Sequence, residues 1–185
     1  AIMEWTVSQQ NQTRAKRLET LRSAMAAAGF DGWIIGREDM YQGEEVPAGD
    51  ERLAYLSGFT GSAGFGVVLG DRAALFSDGR YSLQMPAQTN SSAWDCNTIP
   101  DVTCEDWLKT VGLASGAIIA IDGRLVTVSG FRRLEKSVLA AGGTLVYHNE
   151  NLLDQQWHDR PALPPAASWR MPSENAGKPP AEQSA

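Results

Sequence analysis

The residues best suited to chemistry lie at the end of a glycine-rich stretch. That stretch runs over residues 50–81 and closes with the sequence SDGRY. Asp78 follows an apolar run and can accept hydrogen bonds from the free N–H groups of a following helix. Arg80 would lie in the first turn of that helix, where a cation opposes the helix dipole, which suggests another partner such as a carboxylate across an interface. Tyr81 adds a ring and a hydroxyl group.

We therefore predict that Asp78, Arg80 and Tyr81 contribute to a substrate cleft or an interface. A purely structural role is the alternative interpretation. Asp78 would then serve only as a helix cap, and the ring of Tyr81 would only be packed in the fold.

Other patterns with catalytic potential are incomplete. The residues around Ser62 miss the G-x-S-x-G elbow of serine hydrolases by one position and precede a strand. The glycines match neither phosphate-binding pattern, so tight backbone packing explains them better. His148 and His158 lack metal-ligand spacing; we expect His148 at the end of a strand and His158 in solvent. Acidic residues fall at turns and strand ends, not on central strands as in an RNase H-like nuclease. We predict no catalytic residue and no metal ligand in this chain.

The composition of the chain limits the kinds of binding partner and the cellular compartment that we expect. The chain has 185 residues, a net charge of −6 and 43% hydrophobic residues, which suits one folded domain. The acidic balance disfavours nucleic acid and anionic membranes. No apolar run spans a bilayer, and the N-terminus lacks the pattern of a secretory signal. Cys96 and Cys104 match no zinc motif and are predicted to be reduced thiols, so we expect a cytoplasmic protein.

Apolar periodicity predicts the elements that position the candidate residues. A helix should begin at Thr13 and end at Gly29, and residues 33–35 should form a strand. Residues 65–69 and 72–76 should form a hairpin across Gly70-Asp71 and lead directly to Asp78. The other predicted elements are a helical turn at 51–56, a helix from 79 towards 88, strands at 94–99, 117–121 and 144–147, helices opening at Thr103 and at Thr127 or Ser129, and a short helix capped by Asn151. This order predicts an α/β fold, a mixed β-sheet with helices on its faces.

Composition also divides the chain. Residues 1–12 are predicted to be a disordered or tag-derived N-terminus, and residues 13–161 to be the domain. Six of the nine prolines follow Arg160, so residues 162–185 are predicted to begin as a proline-rich linker.

Several motifs together resemble the N-terminal domain of Xaa-Pro aminopeptidases (aminopeptidase P), and more broadly the creatinase/prolidase N-terminal domain. They are YLSGFTGSAG at 55–64, DGRY at 78–81, EDWL at 105–108, NLLD at 151–154, Trp157, and DRP at 159–161. The resemblance covers residues 13–161 and implies a creatinase/prolidase-like fold with an RNase H-like motif. Residues 171–185 resemble the start of a second, truncated domain.

The resemblance implies a role within peptidase family M24. Members remove an N-terminal residue that precedes proline, using two divalent metal ions, often manganese, whose ligands lie in a C-terminal domain. No position of this chain matches those ligands. The chain would thus be a non-catalytic domain that shapes access to the active site and contributes to a homo-oligomer. Its partners would be peptides with proline at the second position and other domains of the same chain.

Two alternatives to the peptidase stay open. The chain could be the N-terminal domain of a creatinase or related amidinohydrolase, which shares this domain. It could also belong to a catalytically inactive pita-bread protein that binds peptides.

Overall fold

A single mixed sheet organises the molecule. The computed structural model of the chain describes residues 6–163. The strands are β1 Gly32–Gly36, β2 Phe65–Leu69, β3 Ala73–Asp78, β4 Asp95–Ile99, β5 Ile118–Asp122 and β6 Thr144–His148. They lie in the order β4-β3-β2-β1-β5-β6. β2 is antiparallel to both of its neighbours, and all other neighbouring strands are parallel. The predicted α/β fold with a mixed sheet is confirmed.

The strand directions create one chemically important edge. Because only β2 runs the opposite way, the carboxyl ends of β1, β3, β4, β5 and β6 all lie on the same side of the sheet. Crevices outside the carboxyl ends of parallel strands are the usual ligand sites of α/β folds. We call this side the carboxyl edge.

Helices cover both faces of the sheet. They are α1 Val7–Ala27, α2 Arg52–Ser57, α3 Gln84–Gln88, α4 Cys104–Val111, α5 Val128–Ala140 and α6 Leu152–Gln156. Successive strand residues point to opposite faces, so Trp33 and Ile35 pack with α1, α2, α3 and α6. Ile34 packs on the other face with α4 and α5. Within residues 6–163, no helix is both long enough and apolar enough to cross a bilayer.

α1 begins earlier than the apolar pattern predicted, so the predicted start at Thr13 is wrong. Thr6 is the N-cap and forms a capping box with Gln9: its hydroxyl accepts from the Gln9 N–H at 3.2 Å, and Gln9 Oε1 accepts from the Thr6 N–H at 2.9 Å. Residues 7–12 therefore belong to the helix. The expectations for residues 1–5 and 164–185 lie outside the described residues.

The segment after β3 is also divided differently. The prediction of one helix from Gly79 towards Gln88, kinked or ended early by Pro86, is wrong: a 3-10 helix over Gly79–Tyr81 precedes the separate helix α3. Pro86 lies in the first turn of α3, where backbone N–H groups have no partner within the helix. In a helix starting at residue 79, the same proline would remove an internal hydrogen bond.

The remaining local predictions agree with the structure. The hairpin forms between β2 and β3, and Thr103, Thr127 and Asn151 cap α4, α5 and α6. Cys96 and Cys104 are free cysteines, as predicted.

Candidate functional site

Asp78 and Arg80 form a closed ion pair at the carboxyl end of β3. Asp78 Oδ1 accepts from the Arg80 backbone N–H at 3.0 Å and from Arg80 Nε at 2.9 Å. Arg80 Nη2 donates to Asp78 Oδ2 at 2.8 Å, which completes a bidentate pair. Asp78 thus caps the 3-10 helix, and the partner of Arg80 is the carboxylate two residues earlier in the chain.

Tyr81 ties the glycine-rich stretch to this pair. Its hydroxyl accepts from the Ser62 backbone N–H at 3.1 Å and lies 2.5 Å from Ser62 Oγ. Its ring packs edge-on against Phe59, with centroids 5.6 Å apart, and the Arg80 guanidinium carbon lies 5.2 Å from the ring centre. A Cβ atom at Gly61 would lie 2.9 Å from Tyr81 Cδ1, so this close approach requires glycine. Arg80 therefore contacts both Asp78 and Tyr81, and Tyr81 connects this group to Ser62.

The ion pair is fixed in geometry but open to solvent. The Arg80 side chain is 66% exposed and that of Asp78 is 42% exposed. Hydrogen bonds from the Arg80 side chain and backbone lower the pKa of Asp78 to about 2. Hydrogen bonds from Ser62 lower the pKa of Tyr81 below its ordinary value. Because Asp78 engages Nε and Nη2 only, the guanidinium keeps N–H donors for a further carbonyl or carboxylate.

The carboxyl end of β5 repeats this arrangement. Asp122-Gly123-Arg124 reproduces the three hydrogen bonds, with distances of 3.0, 3.0 and 2.8 Å. Asp122 is buried and also accepts from Asn151 Nδ2 at 3.2 Å. The sequence analysis missed this second pair, although the repeated Asp-Gly-Arg tripeptide after an apolar strand was a visible signal. The Asp-Gly-Arg pairing therefore recurs at strand ends, and the pair at β3 is more exposed than the pair at β5.

A cavity of about 570 Å³ opens at the same edge, between α4 and α5. Ile99, which pairs in register with Asp78, lines it and so connects it to the candidate site. Phe65, Ile121 and Leu134 contribute apolar walls. Cys104 also lines the cavity, and burial raises the pKa of its thiol to about 12, so it is a neutral wall group. Sequence analysis did not predict this cavity, because its walls come from segments far apart in the chain.

Neither histidine belongs to a group of potential metal ligands among the described residues. His148 ends β6, and its ring packs edge-on against Phe30 and Trp33, with centroids 5.1 and 5.9 Å apart. His158 is exposed, as predicted. Among residues 6–163, no group of three or more His, Cys, Asp or Glu side chains is placed to hold a metal ion.

The closing motifs of the sequence meet a distant segment in a network of ion pairs. Asp154 accepts from Arg52 Nε at 2.7 Å and from Arg160 Nη1 at 3.1 Å. Asp50 Oδ1 lies 2.8 Å from Arg160 Nη2 and 3.0 Å from Arg52 Nη1. These contacts join NLLD and DRP to residues 50–52, so the motifs have a structural role in anchoring the end of the domain.

Comparison with known proteins identifies relatives of this chain. Residues 17–154 match the family model of the creatinase/prolidase N-terminal domain. The chain is 37% identical over 170 residues to "Probable Xaa-Pro aminopeptidase P" of Arthroderma otae, covering 89% of this chain and 27% of that protein. It is 38% identical over 162 residues to "Aminopeptidase P2" of Arabidopsis thaliana, covering 84% and 22%. The chain thus spans about a quarter of the length of these curated relatives.

Solved structures share the fold. An X-prolyl aminopeptidase of Caenorhabditis elegans, described as a cytosolic enzyme with a di-nuclear active site, matches with a TM-score of 0.73 and 32% identity over 82% of this chain and 27% of that one. The N-terminal domain of peptidase PepQ of Mycobacterium tuberculosis matches with a TM-score of 0.58 and 25% identity over 76% of this chain and 97% of that one. The resemblance predicted from the sequence motifs is confirmed, and the chain belongs to the creatinase/prolidase N-terminal domain family.

Proposed function

We propose that this chain is the non-catalytic N-terminal domain of a metal-dependent Xaa-Pro aminopeptidase. The observation that carries the proposal is the similarity, over 89% of the chain, to a relative named as such an enzyme, of which the chain covers 27%. The enzyme would remove the residue that precedes proline, with two manganese ions held by a separate catalytic domain. The cytosolic C. elegans relative with a di-nuclear active site supports both the metal requirement and a cytoplasmic location.

Arg80 is the residue through which this domain would act. Its guanidinium is exposed, yet Asp78 and the ring of Tyr81 hold it in one orientation. A pre-oriented guanidinium loses little conformational freedom when it binds a carbonyl or carboxylate group. It would contact a peptide substrate or an acidic side chain of a neighbouring domain or subunit, and so shape access to the active site or support the homo-oligomer.

The metal ions would be bound outside the described part of this chain. Residues 6–163 contain no suitable group of ligands. The contribution of these residues would therefore be positional, through the carboxyl edge of the sheet.

Peptidase assays with added Mn²⁺ test the proposal. We expect the full-length protein to release the first residue of a peptide with proline at position two, and the 185-residue chain to release none. The matched control is the same peptide with alanine in place of that proline. Hydrolysis of the proline peptide by the 185-residue chain would overturn the proposal.

The same assays separate the alternatives. Hydrolysis of creatine, but not of the proline peptide, by the full-length protein would assign it to the amidinohydrolases. Inactivity on both substrates would favour a peptide-binding protein. The names of the relatives favour the peptidase.

A further inference from the structure

The cavity between α4 and α5 is lined by two charged side chains that have no partner in the described part of the chain. Glu38 lies on the loop after β1, and Arg133 lies on α5. Within residues 6–163, neither side chain forms an ion pair or a hydrogen bond with the other or with a third group. One cavity thus presents an unpaired carboxylate and an unpaired guanidinium.

The backbone leaves room for the carboxylate. A Cβ atom at Gly36, which also lines the cavity, would clash with Glu38 Oε2. The Glu38 carboxylate therefore folds back over the carboxyl end of β1, and glycine at position 36 permits this arrangement.

Apolar side chains and an unsatisfied buried donor also line the cavity. Phe65, Ile121 and Leu134 line it. Arg52, which is 4% exposed, also lines the cavity, and its Nη1 atom has no hydrogen bond although it lies 3.0 Å from Asp50 Oδ1. Such a donor can form a hydrogen bond to a carbonyl oxygen of a ligand. A volume of about 570 Å³ lies within the range of small-molecule sites.

We infer that this cavity binds a short peptide with apolar side chains and free ends. Glu38 pairs with the peptide ammonium group, Arg133 pairs with its carboxylate, and the apolar wall holds its side chains. This binding site is independent of the proposed peptidase function, because the chemistry of the cavity alone defines its ligand.

Binding of valyl-leucine to the 185-residue chain tests the inference. We expect saturable binding at millimolar concentrations by calorimetry, with NMR shifts confined to amides around the cavity. N-acetylation or C-terminal amidation of the dipeptide should each weaken binding about tenfold, since each removes one charge-assisted contact.

Two charge variants assign the ends of the peptide. Glu38→Gln should abolish the preference for the free over the acetylated dipeptide, and Arg133→Gln should abolish the preference for the acid over the amide. Glu45→Gln and Arg132→Gln are matched controls, because Glu45 is an exposed residue between β1 and α2, as Glu38 is, Arg132 is an exposed residue of α5, and neither lines the cavity. All four changes are at exposed positions and should leave the fold intact.

Filling the cavity provides a test that does not depend on charge. Ser137→Trp should abolish binding, since Ser137 lines the cavity, whereas Lys136→Trp on the exposed side of α5 should not. The inference is overturned if valyl-leucine does not bind, if blocked and free dipeptides bind equally, or if Ser137→Trp binds like the unchanged chain. Because the readout is binding to this chain, these results do not depend on the activity of the full-length protein.

Discussion

Arg80 and Arg124 have the same local geometry but different surroundings. Asp122 is buried and also held by Asn151, so its pair with Arg124 fixes the end of β5 against the segment before α6. Asp78 has no such anchor and is 42% exposed. Burial alone would raise the pKa of Asp122, but hydrogen bonds from Arg124 and Asn151 lower it by a larger amount, so the carboxylate remains ionised. The contrast favours a structural role for Asp122 and a surface role for Arg80.

The proposed role of Arg80 predicts a kinetic effect. In the full-length protein, Arg80→Ala should raise KM for a proline peptide by about 10- to 100-fold, the size of one or two charged hydrogen bonds, or should change the oligomer size. Steady-state kinetics and analytical ultracentrifugation measure both. Arg72→Ala is the control, because Arg72 also pairs with an aspartate but lies at the opposite end of β3. Unchanged kinetics together with an unchanged oligomer would contradict the role of Arg80.

The Asp78–Arg80 pair should also set a pH limit. The pKa of Asp78 is lowered from 3.8 to about 2 by hydrogen bonds from Arg80. A lowered folded-state pKa means that the pair contributes to stability above the unfolded value and that this contribution is lost as pH falls to about 2. Because both groups are exposed, we expect a small effect on unfolding.

NMR titration of the Asp78 carboxyl group measures this directly. In the unchanged chain the midpoint should lie near pH 2, and in Arg80→Ala it should return towards 3.8. A midpoint near 3.8 in the unchanged chain would show that the bidentate pair does not persist in solution.

At the scale of secondary-structure elements, the sequence predicted those features that depend on residues close together in the chain. The hairpin followed from two apolar runs around Gly70-Asp71, and the caps at Thr103 and Thr127 followed from residue type and spacing. The capping role of Asp78 was predictable for the same reason, since its partner Arg80 is only two residues away. α1 was placed too late because its early turns bury nothing: Val7 is 74% exposed. The Thr6–Gln9 capping box was the better signal.

Features that depend on packing between distant segments were not predictable. Strand order is one example, because β1 pairs with both β2 and β5 and no local pattern encodes that choice. The contact between Tyr81 and Ser62 and the cavity between α4 and α5 are others. The first requires the glycine-rich stretch to fold back, and the second requires two helices to leave space between them.

At the scale of the whole molecule, the ion-pair network closes the domain. Arg52 and Asp154 are 102 positions apart, and Arg160 and Asp50 are 110 apart. The Arg52 side chain is 5% exposed, and that of Asp154 is 23% exposed. Although burial alone would lower the pKa of Arg52, the hydrogen bond and charge of Asp154, with the charge of Asp50, raise it. Two positive and two negative groups therefore compensate one another at a junction of three segments.

Removing one charge from this network should lower the free energy of unfolding. Breaking a fully buried ion pair costs about 3–5 kcal/mol, because the remaining charge is left without compensation. Asp50 still faces Arg52 in Asp154→Asn, and Asp154 is partly exposed, so we expect a loss of about 2–3 kcal/mol in the free energy of unfolding. Urea denaturation measures it.

A control and a paired substitution make this test specific to the network. Glu105→Gln removes the exposed pair with Lys109 on α4 and should cost less than about 1 kcal/mol. Replacing Arg52 by Met and Asp154 by Leu together should cost less than Asp154→Asn alone, since no uncompensated charge remains at this pair. If Asp154→Asn is as mild as Glu105→Gln, the network does not hold the end of the domain. If the double variant is the most damaging, the hydrogen bonds of Asp154 with Arg52 and Arg160, and not charge balance, stabilise the junction.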